Sequence, residues 1–353
     1  MLTPTWSVAL DHPPFLAAPP NEGPAIVTDG DVVVAVLTTS VVVHDASTGE
    51  PTGEVPLAGP VCASASAISD GVLALLTGEG GECERAVAVD TRSARISWQR
   101  PLPSPARAAT VRGHAVAVGN GVVAVSGGCE GVTRLDVRTG AVLGRTTGAC
   151  PWSASDGTSI VSGDRGGIVV RSQADGAVTA TWRREAARVG DVLSSTPLVV
   201  TAATSSGRRL LALERGAVTP FGPDAGGYGG EVAASYVDDH VLWVQYPDGD
   251  GIVGFDLGTF EQVAQVEAPD DARLAGILDG RLVLTADEAA DGSAAILTFD
   301  PLRPAADPVA GGRIPPSAPE DGPVRRTTVA AGQLLVIRDG RLEALPLASA
   351  GPS

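Results

Sequence analysis

The sequence predicts an all-β chain folded as an eight-bladed β-propeller of four-stranded antiparallel blades, with the N-terminal strand completing the last blade. Three observations carry this reading. First, apolar runs and glycine-rich turns recur every 43 residues or roughly so, one run in each copy ending at Asp45, Asp90, Asp136, Ser172, Glu214, Asp256, Asp300 or Ala344. Second, 44 glycines and 27 prolines penalise helix throughout, and no segment between runs keeps a helical period. Third, one short meander cannot bury both of its faces. Near-equal copies must therefore lean on one another, which a sandwich does not require.

The elements follow in order. Residues 5–10 read as an orphan strand that contains Trp6 and belongs to no copy of its own. The blades are placed at 24–60, 61–104, 107–149, 150–185, 186–223, 230–268, 270–310 and 326–348, within a single domain spanning 1–353. In the third copy the strands are 114–118, 121–126, 132–137 and 141–146, parted by Gly/Asn-type turns of the kind that close antiparallel hairpins. The last copy has only three strands, at 328–330, 334–338 and 341–347. Residues 6–10 are therefore expected to pair beside 341–347 as its outer strand. Residues 226–230 read as a glycine-rich connector, and 304–325, rich in Pro, Gly, Ala and Asp, as an extended loop.

Composition excludes several functions. The formal net charge is −16, which disfavours nucleic acid and anionic membrane surfaces as partners. All 25 basic residues are arginine, so Schiff-base and P-loop chemistry are absent. The strongest apolar stretches, 32–37 and 41–43, are far shorter than a membrane span. The first residues have neither a basic nor an apolar signal region, so an export signal or anchor is expected outside this chain. Membrane association is expected only through such an anchor, and the chain is expected to be a monomer.

Four cysteines, Cys62, Cys83, Cys129 and Cys150, occur with a repeated spacing and without any Cys-x-x-Cys or nearby histidine. A zinc site is disfavoured. Turn placement sets all four on one rim, and the expected pairs are Cys62–Cys83 and Cys129–Cys150; four buried thiols are the alternative. Disulfides would place the protein in an oxidising, extracytoplasmic compartment. Of the remaining candidates, Asp248 and Asp250 resemble the start of a calcium loop but lack its other oxygens, and Asp-Gly there also suits a hairpin. Asp238-Asp239-His240 reads as a solvated turn ahead of an acid/base cluster, and His44-Asp45 cannot act as a dyad, because neighbours on a strand face opposite ways.

Two segments, Asp45-Ala-Ser-Thr48-Gly49 and Asp136-Val-Arg-Thr139-Gly140, spell D-x-x-T-G after an apolar strand. Asp90 begins a degenerate copy with Trp98 eight residues on, and Asp256 begins another. This pattern resembles the PQQ-type β-propeller repeat. The resemblance implies a tight turn in which Asp accepts backbone N–H groups and Gly takes positive φ, while a Trp on the outer strand packs between blades. Trp98 fits that position, Trp182 fits it with a two-residue insertion, and Trp6 resembles it in the closing strand. Members that oxidise substrates hold pyrroloquinoline quinone and calcium beneath adjacent cysteines. This chain has no adjacent cysteines and only two asparagines, Asn21 and Asn120. No catalytic residue, cofactor or metal is therefore expected. The expected function is a non-enzymatic extracytoplasmic scaffold for a protein or cell-envelope partner. The alternatives are a quinone- and calcium-dependent dehydrogenase and the ligand-sensing ectodomain of a membrane protein.

Overall fold

The computed structural model describes residues 2–11, 25–79, 82–107, 116–126, 131–146, 152–155, 157–164, 167–182, 188–204, 207–214, 217–222, 232–246, 251–269, 272–287, 293–301, 309–314, 327–338 and 340–347. Among these every regular element is a strand. Strand β1 is Trp6–Ala9. The first sheet comprises β2 (Ile26–Asp29), β3 (Val32–Val36), β4 (Ser40–Asp45) and β5 (Pro51–Pro56). The second comprises β6 (Val61–Ser64), β7 (Val72–Thr77), β8 (Glu82–Asp90) and β9 (Arg95–Arg107), and the third β10 (Val116–Gly119), β11 (Val122–Ser126), β12 (Val132–Asp136) and β13 (Val142–Thr146). The fourth holds β14 (Trp152–Ser155), β15 (Ser159–Asp164), β16 (Gly167–Ser172) and β17 (Val178–Trp182). The fifth holds β18 (Arg188–Ser195), β19 (Leu198–Thr204), β20 (Gly207–Glu214) and β21 (Ala217–Phe221). The sixth holds β22 (Ala234–Asp238), β23 (Val241–Gln245), β24 (Ile252–Asp256) and β25 (Gln262–Val266). The seventh holds β26 (Ala272–Leu278), β27 (Arg281–Asp287), β28 (Ala294–Phe299) and β29 (Val309–Ile314). The eighth holds β30 (Thr327–Ala330), β31 (Gln333–Arg338), β32 (Arg341–Pro346) and, at its outer edge, β1.

Seven sheets are four-stranded antiparallel meanders, the eighth is a three-stranded meander completed by β1, and the fold is an all-β, eight-bladed β-propeller. The strand at 309–314 corrects the expected loop over 304–325. Its sequence, Val-Ala-Gly-Gly-Arg-Ile, has too few apolar side chains to read as a strand, but the edge of β28 supplies backbone partners from Ala294 to Thr298. That strand also runs past the expected blade boundary at 310.

Two compact units are distinguishable. One contains residues 1–11, 46–50 and 225–353, and the other residues 12–45 and 51–224. In the first, β1 pairs antiparallel with β32, setting Trp6 opposite Ala344, Ser7 opposite Glu343, Val8 opposite Leu342 and Ala9 opposite Arg341. The chain's start is tied further along: the Leu2 amide donates to the Arg313 carbonyl at 2.9 Å.

Middle strands are buried on both faces and read as near-continuous apolar runs, as in Val72–Thr77 and Val122–Ser126. Outer strands alternate with solvent instead, as in Val142–Thr146 and Val178–Trp182. A buried ion pair interrupts the eighth sheet. Arg338 Nε donates to Glu343 Oε2 at 2.6 Å, with both side chains under a tenth exposed, and Ser7 Oγ donates to Glu343 Oε1 at 3.2 Å. Arg338→Met is expected to cost about 3–5 kcal/mol by stranding a buried carboxylate, and Arg338→Met/Glu343→Leu to recover most of that loss. Urea midpoints of the two variants provide the check.

In the second unit, Cys62 and Cys83 form a disulfide with Cα atoms 5.9 Å apart. They lie on β6 and β8, which flank β7. A register irregularity lies beside each cysteine, at Val61/Ala63 and at Cys83/Arg85, and Cys83 falls beyond the last β7 pair, Thr77 with Arg85. Closing a loop of this length contributes about 3 kcal/mol. Cys129 and Cys150 lie outside the described residues.

Candidate functional site

The residues that distinguish this sequence gather at the turns between third and fourth strands. Just before several of these turns the ladder slips, at Val43/His44, Ala88/Val89, Arg134/Leu135, Val170/Arg171 and Gly254/Phe255. Each slip is a bulge that bends the chain into the turn. An aspartate then organises the loop. Asp136 Oδ1 accepts from Arg138 N at 3.1 Å, Thr139 N at 2.8 Å and Thr139 Oγ1 at 2.8 Å. Asp256 does the same with Gly258 N, Thr259 N and Thr259 Oγ1, and Asp90 with Arg92 N and Ser93 N. In the first sheet, Thr48 Oγ1 accepts from Glu50 N at 3.2 Å.

In five of these turns the fifth residue is left-handed: Gly49, Ala94, Gly140, Gly176 and Phe260 have φ between 47° and 78°. Glycine adopts this freely, whereas alanine and phenylalanine are held there at a cost of about 1–2 kcal/mol each.

These hydrogen bonds hold the carboxyls of Asp136 and Asp256 below the ordinary aspartate range. For Asp136 the leading cause is the Thr139 hydroxyl, and for Asp256 the Thr259 amide. Asp90 is lowered chiefly by the Ser93 amide and Asp175 by the Ala177 amide. Since the folded values are depressed, the stabilisation is complete above the unfolded value of about 4 and is lost as pH falls through the folded values. The thermal midpoint is expected to be flat from neutral pH down to about 4.5 and to drop below that. In Asp136→Asn/Asp256→Asn that acid-side drop is expected to flatten, which a pH series of melting curves measures.

The turns receive side chains from the neighbouring sheet. Trp98, on β9 and opposite Ala88, donates its indole N–H to the Val137 carbonyl at 2.7 Å, and its ring covers Gly140. A Cβ at Gly140 would come within 2.7 Å of the ring. Trp6, opposite Ala344 in the equivalent register position, donates to the Ala46 carbonyl at 3.2 Å and covers Gly49. Both indoles are buried.

Two other junctions solve the same problem differently. In the first sheet the tryptophan position is Gly53, opposite Val43, and the facing turn residue is Ala94, whose methyl fills that space. In the third sheet it is Gly144, opposite Arg134. There the Arg134 side chain covers Gly144, approaches Gly176, and donates to the Gln173 and Ala174 carbonyls at 3.4 and 2.8 Å. A buried guanidinium thus replaces an indole. Trp182 pairs with Ile168, two residues beyond Val170↔Ala180, and lines a small apolar notch with Leu213, Ala217 and Val218.

Buried amides add further ties that the sequence did not reveal. Gln173 Nε2 donates to the Gly119 and Val122 carbonyls at 3.2 and 2.9 Å. Gln245 grips β26 from both ends of its amide, donating from Nε2 to the Ala272 carbonyl at 2.5 Å and accepting the Leu274 N–H on Oε1 at 2.8 Å. A glutamine midway between apolar runs was the available signal, but only the facing backbone identifies its role.

The remaining sequence candidates separate. Asp248 and Asp250 lie outside the described residues, as do 226–230. His240 is exposed in a turn, its Nε2 3.6 Å from Asp256 Oδ2. His44 and Asp45 end β4, opposite Val33 and Val32. Tyr236 is pushed up by burial, partly offset by a hydrogen bond with the Thr328 side chain. Among the described residues no three of His, Cys, Asp and Glu converge as a metal centre would require.

A family model of the PQQ-repeat type, described as outer membrane protein assembly factor BamB, matches residues 3–215. Among solved structures, BamB from Moraxella catarrhalis superposes with a TM-score of 0.62 at 17% identity, covering 100% of both chains. The computationally designed protein Ika8 gives 0.65 at 14% identity, over 95% of this chain and 100% of its own. Sqt1 of Saccharomyces cerevisiae gives 0.64 at 9% identity, over 98% and 99%. At these identities the likeness is one of fold. No curated protein matches this chain.

Proposed function

This chain belongs to the PQQ-type propeller family described as outer membrane protein assembly factor BamB, and from that premise we propose that it is a non-catalytic scaffold that binds a protein or cell-envelope partner in an extracytoplasmic compartment. One observation carries the reading. Asp90, Asp136, Asp256, Thr139, Gly140, Trp98 and Trp6 of the repeat signature are occupied in capping turns or docking neighbouring sheets. Their chemistry is mechanical, which leaves the exterior as the interacting part. The Cys62–Cys83 disulfide supports an oxidising compartment.

The test is site-specific photocrosslinking in the native host from exposed outer-strand positions such as Val142 and Val178. A discrete crosslinked envelope protein, together with no alkylatable thiol at Cys62 or Cys83 in the native protein, is the expected result. Saturable binding of pyrroloquinoline quinone with calcium, with turnover of an electron-accepting dye, would replace this reading with the dehydrogenase one.

A further inference from the structure

At two junctions the chain fills the space beside a turn with its own indole, Trp98 over Gly140 and Trp6 over Gly49. The junction between the fourth and fifth sheets departs from this on both sides. The position equivalent to Trp98 is Ala180. Each stands in the last pair before the slip in its outer ladder, Ala180 with Val170 and Trp98 with Ala88. On the receiving side only residues 215 and 216 separate β20 from β21, and Glu214 pairs directly with Ala217. That connection is too short to form the five-residue turn that Trp98 and Trp6 cover.

What remains is a notch of about 200 Å³, open to solvent. Of the residues that line it, Ile168, Val170 and Leu213 are buried, Trp182 is half-buried, and Thr181 and Ala217 are exposed at its rim. No charged side chain lines it. Among the described residues the Trp182 indole N–H has no acceptor, whereas those of Trp98 and Trp6 each hold a backbone carbonyl.

These features select the occupant. An ionic ligand is disfavoured, because nothing in the notch would replace its water. Small-molecule sites enclose about 300–1,000 Å³, so this one is too small for a cofactor and admits the tip of one aliphatic side chain. An indole N–H beside such a side chain matches a peptide carbonyl. β17 is the outermost strand of its sheet and contains no proline, so its open edge can pair with an extended segment. β9, with Pro101, Pro103 and Pro105, cannot offer a full ladder.

We infer that the notch between the fourth and fifth sheets is a docking site for an extended segment of a protein partner, which seats one aliphatic side chain against Trp182 and gives a backbone carbonyl to its indole N–H. This deepens the scaffold reading and rests on it.

The probe is the blocked pentapeptide Thr-Ser-Leu-Ser-Thr, titrated against the full chain labelled with 5-fluorotryptophan. The Trp182 fluorine resonance is identified by its absence in Trp182→Phe. A saturable shift of that resonance is expected, with half-saturation at about 1–10 mM, the range that a single small anchor supports. The same peptide with glycine in place of leucine is expected to bind at least about 10-fold more weakly, because it buries no side chain. Ala217→Glu, which sets a charge at the rim, is expected to weaken the leucine peptide about 10-fold or more. Ala141→Glu, the same change at an exposed position elsewhere, is expected to stay within about twofold. Melting curves confirm that both variants fold. No shift, equal affinity for the two peptides, or equal affinity in the two variants would each overturn the inference. So would a Trp182 shift produced by dihexanoylphosphatidylcholine below its micellar concentration with none from the peptide, which would make the notch a site for a lipid chain. Should the peptide fail while photocrosslinking from Val142 still identifies an envelope partner, the notch falls and the scaffold reading stands.

Discussion

Removing residues 1–11 is expected to lower the thermal midpoint by roughly 10 °C or more and to promote aggregation. The deletion takes a strand from the eighth sheet together with the Trp6 indole, which is buried over Gly49 and bonded to the Ala46 carbonyl. Truncating a buried tryptophan alone costs about 3–5 kcal/mol. The deletion also removes Ser7, which bonds Glu343 and Arg341, and the Leu2 amide that reaches Arg313. β32 would be left as an open edge able to pair with another chain. Trp6→Ala should reproduce about half of the loss without the aggregation, because the edge stays covered. Scanning calorimetry with light scattering separates the two effects, and an unchanged midpoint in the truncated chain would show that β1 contributes no stability.

Trp98→Ala is expected to cost about 3–5 kcal/mol, since it empties a buried site and leaves the Val137 carbonyl without its indole donor. Gly140→Ala is expected to destabilise through both a left-handed φ of 67° and a methyl driven against the ring. Combined, the two changes should cost less than their sum by about 1 kcal/mol or more, because the smaller side chain makes room for the methyl. The first junction supplies the reverse experiment. Gly53→Trp should destabilise the natural chain, where the Ala94 methyl occupies the space, and be better tolerated beside Ala94→Gly. Denaturant midpoints of the double-mutant cycles decide this, and strict additivity at Trp98 and Gly140 would mean that ring and turn do not interact.

Much of the fold was legible because its signals are local. Asp136 and Thr139 cap their own turn, and Gly140 closes it, whatever lies beyond. The orphan strand around Trp6 and the three-stranded final copy pointed to each other by subtraction. Other features were hidden for physical reasons. Val309–Ile314 has little strand character of its own and becomes a strand through the partners β28 offers. Gly144 stands where Trp98 stands in the second sheet. It is the space that admits Arg134, a residue the sequence presents as an ordinary outward charge on an apolar run.

The sequence by itself determined the number of copies, the strands and the turns of most of them, and the end at which the last is completed. Those follow from backbone chemistry over a few neighbouring residues, repeated often enough to be read. Only the tertiary structure decided what fills the junction at the described turns: an indole over a glycine, a methyl facing a glycine, or a guanidinium threaded between two. That choice depends on the volume left by a residue some forty positions away, as Trp98 and Val137 show at a separation of 39, and close packing rather than local preference sets it.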